Sequence, residues 1–215
     1  MATFLTDTFS GESGLVFLSS HTGETGATWV QDSGYGDQFV VVNTTGRIYP
    51  GASQSANLSS GTPASAEYDI EADLVCLSNV GNVQICARMA NAATMYMAGF
   101  FNGAGWQMYY QNAGSFSSAL DTDSTTHGTT LTVSQTYHLK FEVRNATKKL
   151  FVDSVELLST TDNTITGAGK AGVRGSDGTS TTSYHLDNLT AYDPVVGGTK
   201  ARPIFHRPHR FFRGK

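Results

Sequence analysis

The densest run of potential chemistry in this 215-residue chain is Glu67-Tyr68-Asp69-Ile70-Glu71. On an extended strand the pattern Glu-x-Asp-x-Glu places three carboxylates on one face, because successive side chains alternate sides. Two facing carboxyl groups can cleave a glycosidic bond, and the retaining form of that chemistry needs them about 5–5.5 Å apart. Residues i and i+4 of one strand start ~13 Å apart, at ~3.3 Å per residue. Only a shaped cleft would bring Glu67 and Glu71 together. The same face continues into Asp73, and the sequence offers no aromatic platform around the motif. The reading taken is a solvated acidic strand face, with no catalytic residues expected.

Aromatic residues are a second candidate. Trp106, Met108 and Tyr110 share one face of an expected strand, with Tyr109 on the other and Tyr96 and Phe100 on the strand before. Flat rings can stack on sugars, which makes Trp106, Tyr110 and Tyr96 candidate glycan contacts; core packing is the competing use. Asp7, Asp187 and Asn188, on strands expected to pair where the sheet closes, could offer hard oxygen ligands to Ca²⁺. No dense acidic loop accompanies them, so no cofactor is expected. His206 and His209 are too few for a zinc site. No phosphate loop, dinucleotide fingerprint or nucleophile elbow is present.

The elements that would carry these residues are strands. In Tyr137 to Val143, Tyr137, Leu139, Phe141 and Val143 alternate with His138, Lys140 and Glu142, the period of a strand with one buried face. Asn145 to Lys148 suits a turn, Leu150 to Val152 a second strand, and Asp153-Ser154 a tight corner before Val155 to Leu158. Asn102-Gly103-Ala104-Gly105 separates Met95 to Phe101 from Trp106 to Gln111 as a hairpin. Phe39 to Asn43 and Arg47 to Tyr49 flank a Thr-Thr-Gly turn. Gly51 to Ala64, rich in Ser, Gly and Pro, reads as an exposed loop. About 12 to 14 strands are expected, enough for two packed sheets.

Twenty-three Gly and 15% charged residues fit short strands joined by many turns. No apolar run approaches ~18 residues, so no membrane-spanning helix is expected. The opening MATFLTDTFS lacks the basic region and long apolar core of a Sec signal peptide. Cys76 and Cys86 are placed on consecutive antiparallel strands joined near Gly81. Cys76 shares a face with Tyr68, Ile70, Ala72 and Leu74, whereas Cys86 lies opposite Val83, Ile85 and Ala87. The thiols then point apart and stay free.

The order of these segments carries a family resemblance. The alternating strand, polar turn, short strand ending in Asp153-Ser154, loop with Asp162, AGKAGVRG strand and closing LDNLTAY (Leu186 to Tyr192) resemble the C-terminal half of a concanavalin A-like (laminin-G-like) jelly roll. Ser154 stands where that family usually has Gly. The opening TDTF at Thr6 to Phe9, followed by SSHTGETGATWV, resembles a subset common in tailed-phage and environmental structural proteins. The resemblance spans roughly residues 4 to 194. It implies an all-β, two-sheet antiparallel sandwich with a packing role for Trp29. Glu-x-Asp-x-Glu is similar to the signature of the jelly-roll β-glucanases. Carried over, Glu67 would be nucleophile, Glu71 general acid/base and Asp69 their modulator.

The chain divides into a sandwich, 1–194, and a C-terminal segment, 195–215. Six of the 14 Lys and Arg fall in residues 200–215, leaving 8 basic against 18 acidic residues before them. An acidic body with a basic, aromatic tail suggests display by the one and docking by the other. Arg202, Phe205, Arg207, Arg210, Phe211, Phe212 and Arg213 are the docking candidates, read as contacts to a larger protein assembly rather than to nucleic acid or membrane. The expectation is a non-enzymatic virion structural protein, a capsid or tail decoration that touches host glycans. A bacterial glycan-binding module at the cell surface or outside it is the alternative, and a β-glucanase the second. A homo-oligomer is compatible with this fold, although no residue specifies one.

Overall fold

A computed structural model describes residues 2–194 apart from 12–13, 26, 32–38, 43, 52–53 and 177–181. The docking candidates Arg202 to Arg213 lie outside the described residues. The strands are β1 (Thr3–Asp7), β2 (Leu15–Phe17), β3 (Trp29–Gln31), β4 (Phe39–Val42), β5 (Arg47–Pro50), β6 (Ser55–Ser59), β7 (Tyr68–Cys76), β8 (Asn82–Asn91) and β9 (Thr94–Phe101). They continue with β10 (Gly105–Asn112), β11 (Ser115–Phe116), β12 (Asp121–Asp123), β13 (Thr136–Arg144), β14 (Thr147–Val152), β15 (Val155–Thr161), β16 (Lys170–Ser176) and β17 (Tyr184–Tyr192). Among the described residues no helix is long and apolar enough to cross a membrane.

Two antiparallel sheets form a sandwich. The nine-stranded sheet runs β15-β14-β13-β7-β17-β5-β4-β2, with β1 also on β17; the eight-stranded sheet runs β11-β10-β9-β8-β16-β6-β3, with β12 also on β10. Their inner faces share one core that includes Ile70, Leu74, Phe141, Leu186, Ile85, Phe100 and Trp106. The meander β13-β14-β15 turns at Asp153 and Ser154, both at positive φ (50° and 69°). Positive φ at both central residues is the type I′ hairpin geometry that matches strand twist. Here Ser154 accepts the backbone conformation for which the related fold usually spends a glycine.

Two expectations are corrected. β7 and β8 are not a hairpin: β7 pairs with β13 and β17, whereas β8 pairs with β9 and β16 in the other sheet. Residues 77–81 are an arch between the layers. The segment expected as an exposed loop contains β6, in which Ser55, Ala56, Asn57 and Ser59 are fully buried. Some of its polar atoms are taken up: Phe39 N–H donates to Asn57 Oδ1 (2.9 Å), and Ser59 Oγ donates to the Ala171 carbonyl (2.9 Å), while Asn57 Nδ2 has no hydrogen-bond partner among the described residues.

The thiols remain free and buried. Cys76 belongs to the core between the sheets, and Cys86 to a second apolar cluster with Ala56, Met89, Met95 and Met97. Burial pushes the Cys86 thiol up to about 12, far from the thiolate that reacts. The native protein is expected to resist a disulfide reagent at pH 8 and to release two thiol equivalents in urea. Rapid labelling of Cys86 without denaturant would contradict this placement.

Candidate functional site

The acidic motif lies on the outer face of the nine-stranded sheet, where each central carboxylate already has partners. Asp69 meets Arg144 Nη2 at 2.6 Å and Lys140 Nζ at 3.6 Å. Burial raises its carboxyl above the ordinary range, against the pull of those two cations. Glu71 accepts the Tyr192 hydroxyl and lies 3.7 Å from His138 Nε2, while Asp73 lies 2.9 Å from His138 Nδ1. Glu67 precedes β7 and its N–H donates to Ser65 Oγ (3.1 Å). In the register Lys140 lies opposite Glu71 and His138 opposite Asp73, while Glu142 lies opposite Asp69. A cleft of 340 Å³ opens here between Glu71, His138, Lys140, Glu142, Phe151 and Ser154. Asp69, Lys140, Glu142 and Arg144 form an ionic network along its edge.

The aromatic candidates are corrected by their burial. Trp106 and Tyr96 are 0% exposed, and Tyr110 packs partly buried against the same core. Trp106 Nε1–H donates to His127 Nδ1 (3.0 Å), and Tyr96 donates to Asp162 while receiving the Ile165 N–H (3.1 Å). Their shared face is the inner one, so the Trp106 and Tyr96 rings are not available to a sugar. The Ca²⁺ candidates are divided by the sheet. Asp7 points inward, taken up by Trp29 Nε1–H (2.6 Å), Phe9 N–H (2.7 Å) and His21 Nε2 (3.0 Å). Asp187 lies on the outer face, 3.6 Å from Arg47 Nε and accepting Asn188 N–H (2.7 Å). No group of three or more His, Cys, Asp or Glu among the described residues could hold a metal ion.

The outer face of the eight-stranded sheet is different, and the sequence did not single it out. Arg174, Gln84, Gly99 and Gln107 lie side by side across β16, β8, β9 and β10. Gly99 bears no side chain, and none would fit: a Cβ would stand 2.2 Å from the Val83 carbonyl oxygen. The β8 and β9 backbones therefore approach closely here. Gln84 is fully buried, and among the described residues neither its amide nitrogen nor its oxygen has a hydrogen-bond partner. The Arg174 guanidinium lies 4.9 Å from the ring centre of Phe116, which is 51% exposed. Tyr109 donates its hydroxyl to Gln107 (2.6 Å) and packs on Phe101, ring centres 5.3 Å apart. Exposed aromatic rings beside amide and guanidinium groups are the means by which proteins hold sugar rings and their hydroxyls.

The fold is that of the concanavalin A-like jelly rolls. The carbohydrate-binding module CBM66 from Bacillus subtilis matches with a TM-score of 0.55 and 17% identity, over 86% of this chain and 98% of its own. The carbohydrate recognition domain of Emp46p, in its potassium-bound form, matches at 0.58 and 14% identity, over 84% and 96%. The β-glucanase of Bacillus licheniformis matches at 0.55 and 14% identity, over 86% and 100%. No protein-family model matches the sequence, and no curated protein matches it. This jelly roll places the acidic motif and the Gln84 row on opposite outer faces, so they are two separate candidate surfaces.

Proposed function

We propose that the protein is a non-catalytic, saccharide-binding jelly roll displayed on a larger assembly, a virion capsid or tail. The Gln84 amide carries this reading. A buried amide with no partner costs about 1–3 kcal/mol, and such a cost is retained where a ligand completes the hydrogen bonds. Phe116 supplies an exposed ring against the guanidinium of Arg174, the residue paired with Gln84. The presence of a carbohydrate-binding module and a carbohydrate recognition domain among structures of this fold supports a sugar ligand. The ionic ties of Asp69 and Glu71 support a non-catalytic role. The assembly half rests on the sequence, with six Lys and Arg among residues 200–215 of an otherwise acidic chain.

Two variants separate function from fold. Gln84→Leu removes an unsatisfied amide, so stability is expected to hold or rise by about 1 kcal/mol. Binding to a glycan found by array screening is expected to weaken about tenfold in Gln84→Leu and in Phe116→Ala. A glycan array with no ligand, or variants that bind like the wild type, would remove the saccharide reading. Reducing-sugar release from lichenan that disappears in Glu67→Gln would overturn the non-catalytic one. Unchanged incorporation into particles after deletion of residues 200–215 would remove the tail as the anchor.

A further inference from the structure

At the end of the same outer face, over β3, β6, β16 and β8, lies a groove of 590 Å³. Val30, Leu58, Met89, Ala90 and Ala168 give it apolar walls. Glycines in and just before β16 let the neighbouring chain pack close around it. A Cβ at Gly172 would stand 2.4 Å from Met89 Sδ, so the thioether lies across the bare strand. Gly169, at φ +53°, packs against the Arg88 backbone and keeps the wall at 168–169 thin. Val30 is 57% exposed along one side. The volume falls in the range of small-molecule sites, about 300–1,000 Å³, and Met89 supplies a flexible, adaptable surface.

Lys170 lines this groove, and among the described residues no acidic one does. The other cations of the described body have evident uses. Arg47 pairs with Asp187, Lys140 and Arg144 with Asp69, and Lys149 with Glu156. Arg88 and Lys148 donate to backbone carbonyls, and Arg174 lies against Phe116. Among the described residues the Lys170 ammonium has no such partner. In a body with 8 basic against 18 acidic residues, an uncompensated ammonium beside an apolar trough is a place for a ligand that brings both an apolar body and a negative charge.

We infer that this groove binds an acyl-chain anion, with the chain along Val30, Leu58 and Met89 and the carboxylate at Lys170. The inference is independent of the saccharide reading, since it uses neither Gln84 nor Phe116. The probe is dodecanoate, titrated calorimetrically below its micelle concentration into the full chain, with dodecanol and acetate as partial ligands. Saturable one-to-one binding is expected for dodecanoate, about tenfold weaker for dodecanol, and none for acetate. Lys170→Met is expected to bring dodecanoate down to the affinity of dodecanol, and Val30→Asp to abolish binding of both. Thermal unfolding of each variant checks that the fold is kept. No saturable dodecanoate binding, or binding unchanged in both folded variants, would overturn the assignment.

Discussion

Replacing Asp7 by Ala is expected to lower the free energy of unfolding by about 3–5 kcal/mol, the scale for removing one partner from a buried polar cluster. The carboxylate sits inside the sandwich at 0% exposure and serves three donors: the Trp29 indole, the Phe9 backbone and the His21 ring. Burial raises its carboxyl, while the bonds to Trp29, His21 and Phe9 pull it back. Each donor comes from a different stretch of the N-terminal segment, so one side chain fastens that segment to β1. The fit is close. A Cβ on Gly23 would stand 2.3 Å from Asp7 Oδ2, so Gly23→Ala would push the carboxylate off its donors. Asp7→Asn keeps one acceptor oxygen and is expected to lose only about 1–2 kcal/mol. Urea unfolding followed by tryptophan fluorescence measures both variants. A loss under 1 kcal/mol for Asp7→Ala would show that water or another group can replace the carboxylate.

The same residue marks how far the sequence could be read. Asp7 and Asp187 were legible as residues of two strands that pair, and β1 does lie on β17. The faces they occupy were not legible, because alternation tells which residues share a side and not which side meets the second sheet. The same ambiguity misplaced Trp106, Tyr96 and Tyr110, whose common face is the core. β13 to β15 were readable because one apolar face and one charged face repeat with period two, and the turn residues agree with them. β6 was hidden by the opposite arrangement. Ser55, Asn57 and Ser59 are buried through bonds to Gly51, Phe39 and Ala171, while Leu58 turns toward the outer groove. β7 and β8 illustrate a limit of locality. Their neighbours in the sheets come from residues 94–101, 136–144, 170–176 and 184–192, and no local pattern states that pairing. In the sequence Gln84 is simply a polar residue two places before Cys86. Its burial without a partner among the described residues, and the Lys170 ammonium at an apolar groove, are properties of the assembled sheet.

Arg88→Met is expected to cost about 3–4 kcal/mol, since bonds from a charged donor are worth about 1.5–3 kcal/mol each and relief of a buried charge returns part of that. Arg88 is 2% exposed and holds three segments together through the carbonyls of Ala66 (3.0 Å), Ile165 (2.5 Å) and Asn145 (2.9 Å). Methionine fills similar space but leaves the Ala66 and Ile165 carbonyls without that donor. Asn145 keeps a second one, because Lys148 Nζ donates to it at 3.0 Å. Lys148 itself is fully buried, also serves the Ala146 and Asp162 carbonyls, and lies 4.3 Å from the centre of the Tyr96 ring. Burial, reinforced by the Arg88 charge, pushes its ammonium down from the ordinary 10.5 to about 8. Between those values the unfolded chain holds more protons than the folded one, so this group's contribution to stability rises with pH across the window. Without the Arg88 charge, folded Lys148 keeps its proton to higher pH and the rise is smaller. The stability gap between wild type and Arg88→Met is therefore expected to widen from pH 8 toward pH 10; Tyr68 and Tyr96 also feel the Arg88 charge, but burial raises both hydroxyls and holds them protonated in the two folded proteins over this range. Urea unfolding of the pair at pH 7.5 and 9.5 measures it, and a gap that narrows with pH would separate the Lys148 titration from Arg88.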